Sequence, residues 1–161
     1  MLWACLGVVG LVALLFGAKY ARKEYLLRKP DKVWVPLALR ADISMAEQKK
    51  LAEEIDAKLR TDEMLRQFVI DVGLQEKFNQ PSLEAAVKDL DRRLFVEAGT
   101  ADTPTGTMPS INVGVRGTGH EHDILGEAST RIIRDVWRMI GFDPDTGQPL
   151  KRDNAPLLDP Y

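Results

Sequence analysis

Leu2 to Ala18, LWACLGVVGLVALLFGA, is a run of seventeen residues with no charge and no polar face. As a helix it spans ~25 Å, and ~30 Å if it extends from Met1 to Tyr20. That matches the hydrocarbon thickness of a bilayer, where a backbone must satisfy its own hydrogen bonds as a helix. The pattern predicts a transmembrane helix over residues 1–20. Trp3 lies near one end and Tyr20 and Tyr25 near the other, at interfacial positions. Lys19 can snorkel, and Lys19, Arg22 and Lys23 fall at the head-group level. Ala13 and Gly17 form a small-xxx-small pair that permits close helix approach. A cleaved signal peptide is the rival reading. It calls for a basic segment ahead of the apolar run, and none precedes Leu2. A buried core helix calls for some polar face, which the run lacks.

Beyond the run the pattern changes to alternation and helical stripes. Val33, Val35, Leu37 and Leu39 alternate with other residues and predict a strand. Pro36 lacks an N–H, so that strand belongs at an edge or is bulged there. Ser44 and Glu47 have the spacing of a capping box, and Leu51, Ala52, Ile55 and Leu59 line one face of the helix that follows. Thr61 or Asp62 opens a second helix with Met64, Leu65, Phe68, Val69 and Val72 apolar, closed by Gly73. Pro81 and Ser82 open a third with a stripe of Leu83, Ala86, Val87, Leu90 and Leu94. Phe95 and Val96 read as a short strand, residues 99–109 as a loop by composition, and Ile111, Val113 and Val115 as another strand. A fourth helix runs from about His120 to Ile140 and stops at Gly141. The fold class expected is α+β: a transmembrane helix, then a small, mainly antiparallel sheet packed with helices in the order β-α-α-α-β-β-α. The divisions are 1–20 membrane helix, 21–32 basic juxtamembrane segment, 33–141 α+β domain, and 142–161 extended or disordered tail with Pro149, Pro156 and Pro160.

Composition alters this picture in two respects. An apolar share of 45% and a net charge of -2 exclude a wholly disordered chain, and one cysteine excludes an internal disulfide framework. The near-neutral total is a sum of unlike parts. Residues 19–32 carry six basic and two acidic residues, net +4, while 33–161 carry 16 basic and 22 acidic, net -6. An acidic domain argues against nucleic acid as a partner. The +4 collar favours a cytoplasmic position for the C-terminal part and can touch anionic head groups.

Candidate chemistry concentrates in Gly114–Asp123. Three glycines join a strand to a helix, as in phosphate-binding loops. The order G-x-x-G-x-G is not the dinucleotide fingerprint, and His120-Glu121 stand where a Walker loop needs Lys-Ser/Thr. Thr118 and Glu121 instead have capping-box spacing. His120 and His122 are the only histidines, with Glu121 and Asp123 beside them. In a first helical turn they lie ~200° apart, which disfavours chelation of one ion. Cys5 sits in the apolar run, and the acidic pairs Glu53/Glu54 and Asp89/Asp91 fall on predicted solvated helix surfaces. The reading therefore assigns no catalytic residue, no metal and no cofactor.

Several segments resemble the membrane-proximal domain of the bacterial polysaccharide chain-length determinant family. They are the strand after the membrane helix, Leu65, Val69, Gly73-Leu74, Ser82-Leu-Glu-Ala-Ala86, the Ile111–Val115 strand, and the Ala128-Ser129 helix. A second membrane helix and the long extended helix of the larger members have no counterpart among these residues. The resemblance implies a periplasmic domain, against the cytoplasmic side implied by the collar. It also implies a non-catalytic assembly or regulatory role in surface-polysaccharide production, through homo-oligomers at the lipid bilayer and possible membrane-protein partners. The alternative is a cytoplasm-facing membrane adaptor that docks a protein partner.

Overall fold

The computed structural model describes residues 24–146, apart from positions 26 and 105. The expected membrane helix, residues 21–23 of the collar, and 147–161 of the tail lie outside the described residues.

The elements in chain order are β1 (Pro30–Ala38), α1 (Met45–Leu59), α2 (Asp62–Val72), α3 (Leu74–Lys77), α4 (Leu83–Arg93), β2 (Leu94–Thr103), β3 (Gly106–Thr118), a 3-10 turn (Gly119–Glu121) and α5 (His122–Met139). The protein is α+β, and its described strands form one antiparallel sheet in the order β1-β3-β2. The expected order lacked α3, a single turn that starts at the left-handed Gly73 (φ 70°) and precedes Asn79 at φ 51°.

The helix starts follow local chemistry. Ser44 and Glu47 form the expected reciprocal capping box at α1. Ser82 accepts from the Ala85 N–H at the start of α4. Thr61 occupies the N-cap position of α2, but its hydroxyl donates back to the Lys58 carbonyl instead of capping. Gly73, and Gly141 at φ 86°, take the left-handed conformation that ends a helix.

One face of the sheet builds the core. Val33, Val35 and Leu37 of β1 stand beside Val115, Val113 and Ile111 of β3, which stand beside Leu94, Val96 and Ala98 of β2. The three β3 side chains are fully buried. α5 lies on β1 and β3, α1 on β2 and β3, and α2 packs between α4 and α5. Ile55, Leu59, Phe68, Leu74, Leu90, Leu125, Ile132 and Val136 fill the space between. Gln48 is the buried polar anchor of α1: its amide donates to the carbonyls of Gly99 and Ser110, tying the helix to both strands of the hairpin. Ser129 of α5 donates to the Val33 carbonyl at 2.9 Å.

Two expectations from composition are corrected. Residues 99–109 are not a loop: β2 and β3 stay paired as far as Thr103 and Gly106. Thr103 donates to the Gly106 carbonyl and Thr107 to Asp102, so the polar residues that suggested a loop tie the end of a hairpin. The second correction concerns Asp89, expected on a solvated surface. It is 6% exposed, because Arg92 and Arg93, one turn on, donate to its two oxygens at 2.8 and 2.7 Å. The fourth predicted helix also differs in detail, opening with the 3-10 turn before α5 begins at His122.

Candidate functional site

Strand phase decides which main-chain groups are left over. The Leu39 N–H donates to the Pro109 carbonyl at 2.8 Å. In an antiparallel pair, alternate residues exchange both bonds with their partner. Odd residues of β1 and β3 therefore face each other, as do even residues of β3 and odd residues of β2. Pro36 is even, so its missing N–H would have pointed away from the sheet, and of the edge or bulge expected for it the edge is observed, with the register unbroken. Pro109 cannot return a bond to Leu39, and the ladder ends there.

The same phase leaves the N–H and C=O groups of Val96 and Ala98 pointing off the free edge of β2. The Leu94 carbonyl, also on that edge, is taken by Arg60 at 2.9 Å. Beside the edge runs a groove of about 660 Å³ between β2 and α1. One wall is the Lys49, Ala52, Glu53, Asp56 face of α1, and Leu94–Ala98 forms the other. Arg60 closes one end, bound to Asp56 at 2.8 Å, to Asp91 at 2.7 Å and to the Asp91 carbonyl at 2.5 Å. The Asp56 bond raises the Arg60 pKa above its ordinary value against the opposing effect of burial, so this clamp stays charged. The wall charges are mixed and largely internal to the groove.

The two histidines do not converge. His120 Nε2 lies 3.3 Å from Glu24, and His122 Nδ1 lies 2.7 Å from Asp31. Each therefore meets one of the two acids of the basic collar. Hydrogen bonding to Asp31, and then its charge, raises the His122 pKa above the usual histidine value. Glu121, between them, turns inward. It accepts from the Thr118 N–H and hydroxyl as the predicted capping box and pairs with Arg93 at 3.0 Å. Burial alone would raise the Glu121 pKa, but Arg93 and Thr118 outweigh it and hold the carboxylate below its normal range. Among the described residues no group of three or more His, Cys, Asp or Glu is placed to hold a metal ion. The histidine–acid pairs were hidden from sequence spacing, because Asp31 and His122 are far apart along the chain and meet only when β1 and β3 pair.

Of the residues expected at the membrane interface, Trp3, Lys19, Tyr20, Arg22 and Lys23 lie outside the described residues. Among the described residues no helix is long and apolar enough to cross a membrane. No protein-family model matches the chain, and neither the curated proteins nor the solved structures contain a match.

Proposed function

We propose that this protein is a membrane-anchored, non-catalytic assembly protein whose α+β domain associates with further copies through the free edge of β2. The observation that carries the reading is the pair of outward-facing main-chain positions, Val96 and Ala98, beside a groove with room for another strand. An exposed edge is a template for pairing, and main-chain bonds supply affinity with little demand on sequence. Two β2 edges meeting about a two-fold axis continue one sheet into the next. The apolar run of residues 2–18 supports the anchor, which concentrates copies in two dimensions. A role in surface-polysaccharide production is the extension suggested by the segments from Leu65 to Ser129 named above.

The test is Ala98→Pro in the full chain in detergent or bilayers. The substitution removes an outward N–H and no bond to β3, so the fold survives as it does around Pro36. Cross-linking and mass measurement give oligomers for the parent and loss of them for the variant. A monomeric parent, or unchanged oligomers in the variant, overturns the proposed interface.

A second reading has its own observation, the +4 collar, which favours a cytoplasm-facing adaptor. Protease protection of the C-terminal domain in sealed vesicles separates the two. Protection from the cytoplasmic side supports the periplasmic assembly version, and digestion from that side supports the adaptor.

A further inference from the structure

The face of the sheet turned away from the helices has its own chemistry. Row by row across β1, β3 and β2 it carries Lys32 and Arg116, then Trp34, Gly114 and Phe95, then Pro36, Asn112 and Glu97. Phe95 is only 5% exposed, because Lys32 and Arg116 cover its ring, at 5.3 and 4.8 Å from the ring centroid. Both cations also meet Glu97. Trp34, next in the row, is 49% exposed. Gly114 puts no side chain between the two rings. Five residues ahead of β1 in the chain, Tyr25 is 66% exposed with Lys29 over its ring. Toward the hairpin end the face closes, where Ser110 and Ala101 are buried.

We infer that this face is a docking surface for anionic lipid head groups. The inference rests on the anchored reading above, and two observations specify the occupant. The first is reach. The apolar run ends at Ala18, six residues before Glu24, and six residues extend at most roughly 20 Å. A membrane helix ending there holds Glu24 within that distance of the bilayer surface, and Glu24 meets His120, next to Gly119, whose N–H donates to the Lys29 carbonyl just ahead of β1. Trp34 lies four residues along the strand from Pro30, roughly 13 Å. The second is charge. Arg28, Lys29, Lys32 and Arg116 lie at this end with His120 and His122, four cations and two histidines against three acids: Glu24, which pairs with Arg28 and His120, Asp31, which meets His122, and Glu97. Aromatic rings among basic side chains suit the interface, where the ring takes the boundary and the cation meets the lipid phosphate or carboxylate. The rest of the domain is acidic and is repelled by the same surface.

The experiment uses the full chain with Trp3→Phe and Trp137→Phe, leaving Trp34 as the single tryptophan. Vesicles of phosphatidylcholine, with and without phosphatidylserine, carry lipids brominated high on the acyl chain. Flotation reads the anchor, and quenching of Trp34 reads the face. The expected result is flotation on both vesicles, with strong quenching only where phosphatidylserine is present. High salt reverses that quenching. Lys29→Gln with Lys32→Gln lowers the docked-to-undocked ratio about fivefold per charge removed. Flotation with Trp34 unquenched on both vesicles overturns the docking face and leaves the anchor standing. Equal quenching on both overturns the anionic-lipid assignment. Failure to float on either overturns the anchored reading; Trp34 unquenched in that sample overturns the face as well. An environment-sensitive probe at Ala38→Cys, in a Cys5→Ser background, reads the same face if the tryptophan variant does not fold.

Discussion

Gly114 has no room for a side chain. A Cβ there would lie 2.6 Å from the Trp34 Cα and closer still to the Val33 carbonyl oxygen, because β1 crosses β3 tightly at this point. Gly114→Ala is therefore expected to destabilise the domain by about 1–3 kcal/mol, read by chemical denaturation of the full chain. Asp89 offers a different test. It is buried between Arg92 and Arg93, and Asp89→Ala leaves Arg93 with only Glu121 among its carboxylate partners. The expected cost is about 1.5–3 kcal/mol. His122 carries the pH dependence. Its pKa is raised in the folded protein by Asp31, so the folded form binds more protons than the unfolded one near neutrality. The contact between the collar and α5 is thus fully present below the unfolded histidine value, about 6.5, and is lost as pH rises through the higher folded value. An NMR titration of His122 is expected to show a midpoint above the ordinary one, brought back by Asp31→Asn. No upward displacement in the parent would remove this pH dependence.

At the scale of elements, what the sequence disclosed was periodicity. The β1 alternation, the four long helical stripes, both capping boxes and the edge position of Pro36 were all readable, because each depends on residues within a turn or two of one another. The hairpin was not. Thr, Gly, Asp and Pro at 99–109 favour turns, and only pairing with a neighbouring strand makes Thr100–Thr103 extended, a tertiary effect that composition cannot carry. The groove was equally hidden. Which N–H groups of β2 face outward depends on the phase set by Leu39 and Pro109, a contact between distant segments. That phase makes a prediction of its own at a neighbouring position. Val96→Pro spares the ladder, whereas Glu97→Pro removes an N–H aimed at β3. Glu97→Pro should lower the denaturation midpoint far more than Ala98→Pro. Equal losses would mean that the phase assigned to β2 is wrong.

For the whole molecule, the two edges of the sheet differ in purpose and in position. The β1 edge is blunted by Pro36 and leads back to the collar, while the β2 edge is open beside α1. Docking centres on Lys32 and Trp34 at the β1 side of the outer face and pairing on the main chain of the β2 edge, with Phe95, Glu97 and Arg116 bordering both. If both hold, acidic lipid should raise the cross-linking yield of the parent and leave that of Lys29→Gln/Lys32→Gln lower. Equal yields on neutral and acidic bilayers would uncouple the two surfaces.

The strand order β1-β3-β2 has a consequence in time. The middle strand is the last to be made, and Pro30 waits for Thr118, 88 residues later, before it gains a partner. During synthesis the segment beside the apolar run emerges first and stays single until almost the whole domain has followed it. A ribosome-bound chain stopped before Gly106 should leave β1 open to protease, and one carried past Met139 with its strand fully emerged should close it. On the anchored reading, the apolar run would then meet the membrane while the strand behind it is still unpaired, before any sheet exists.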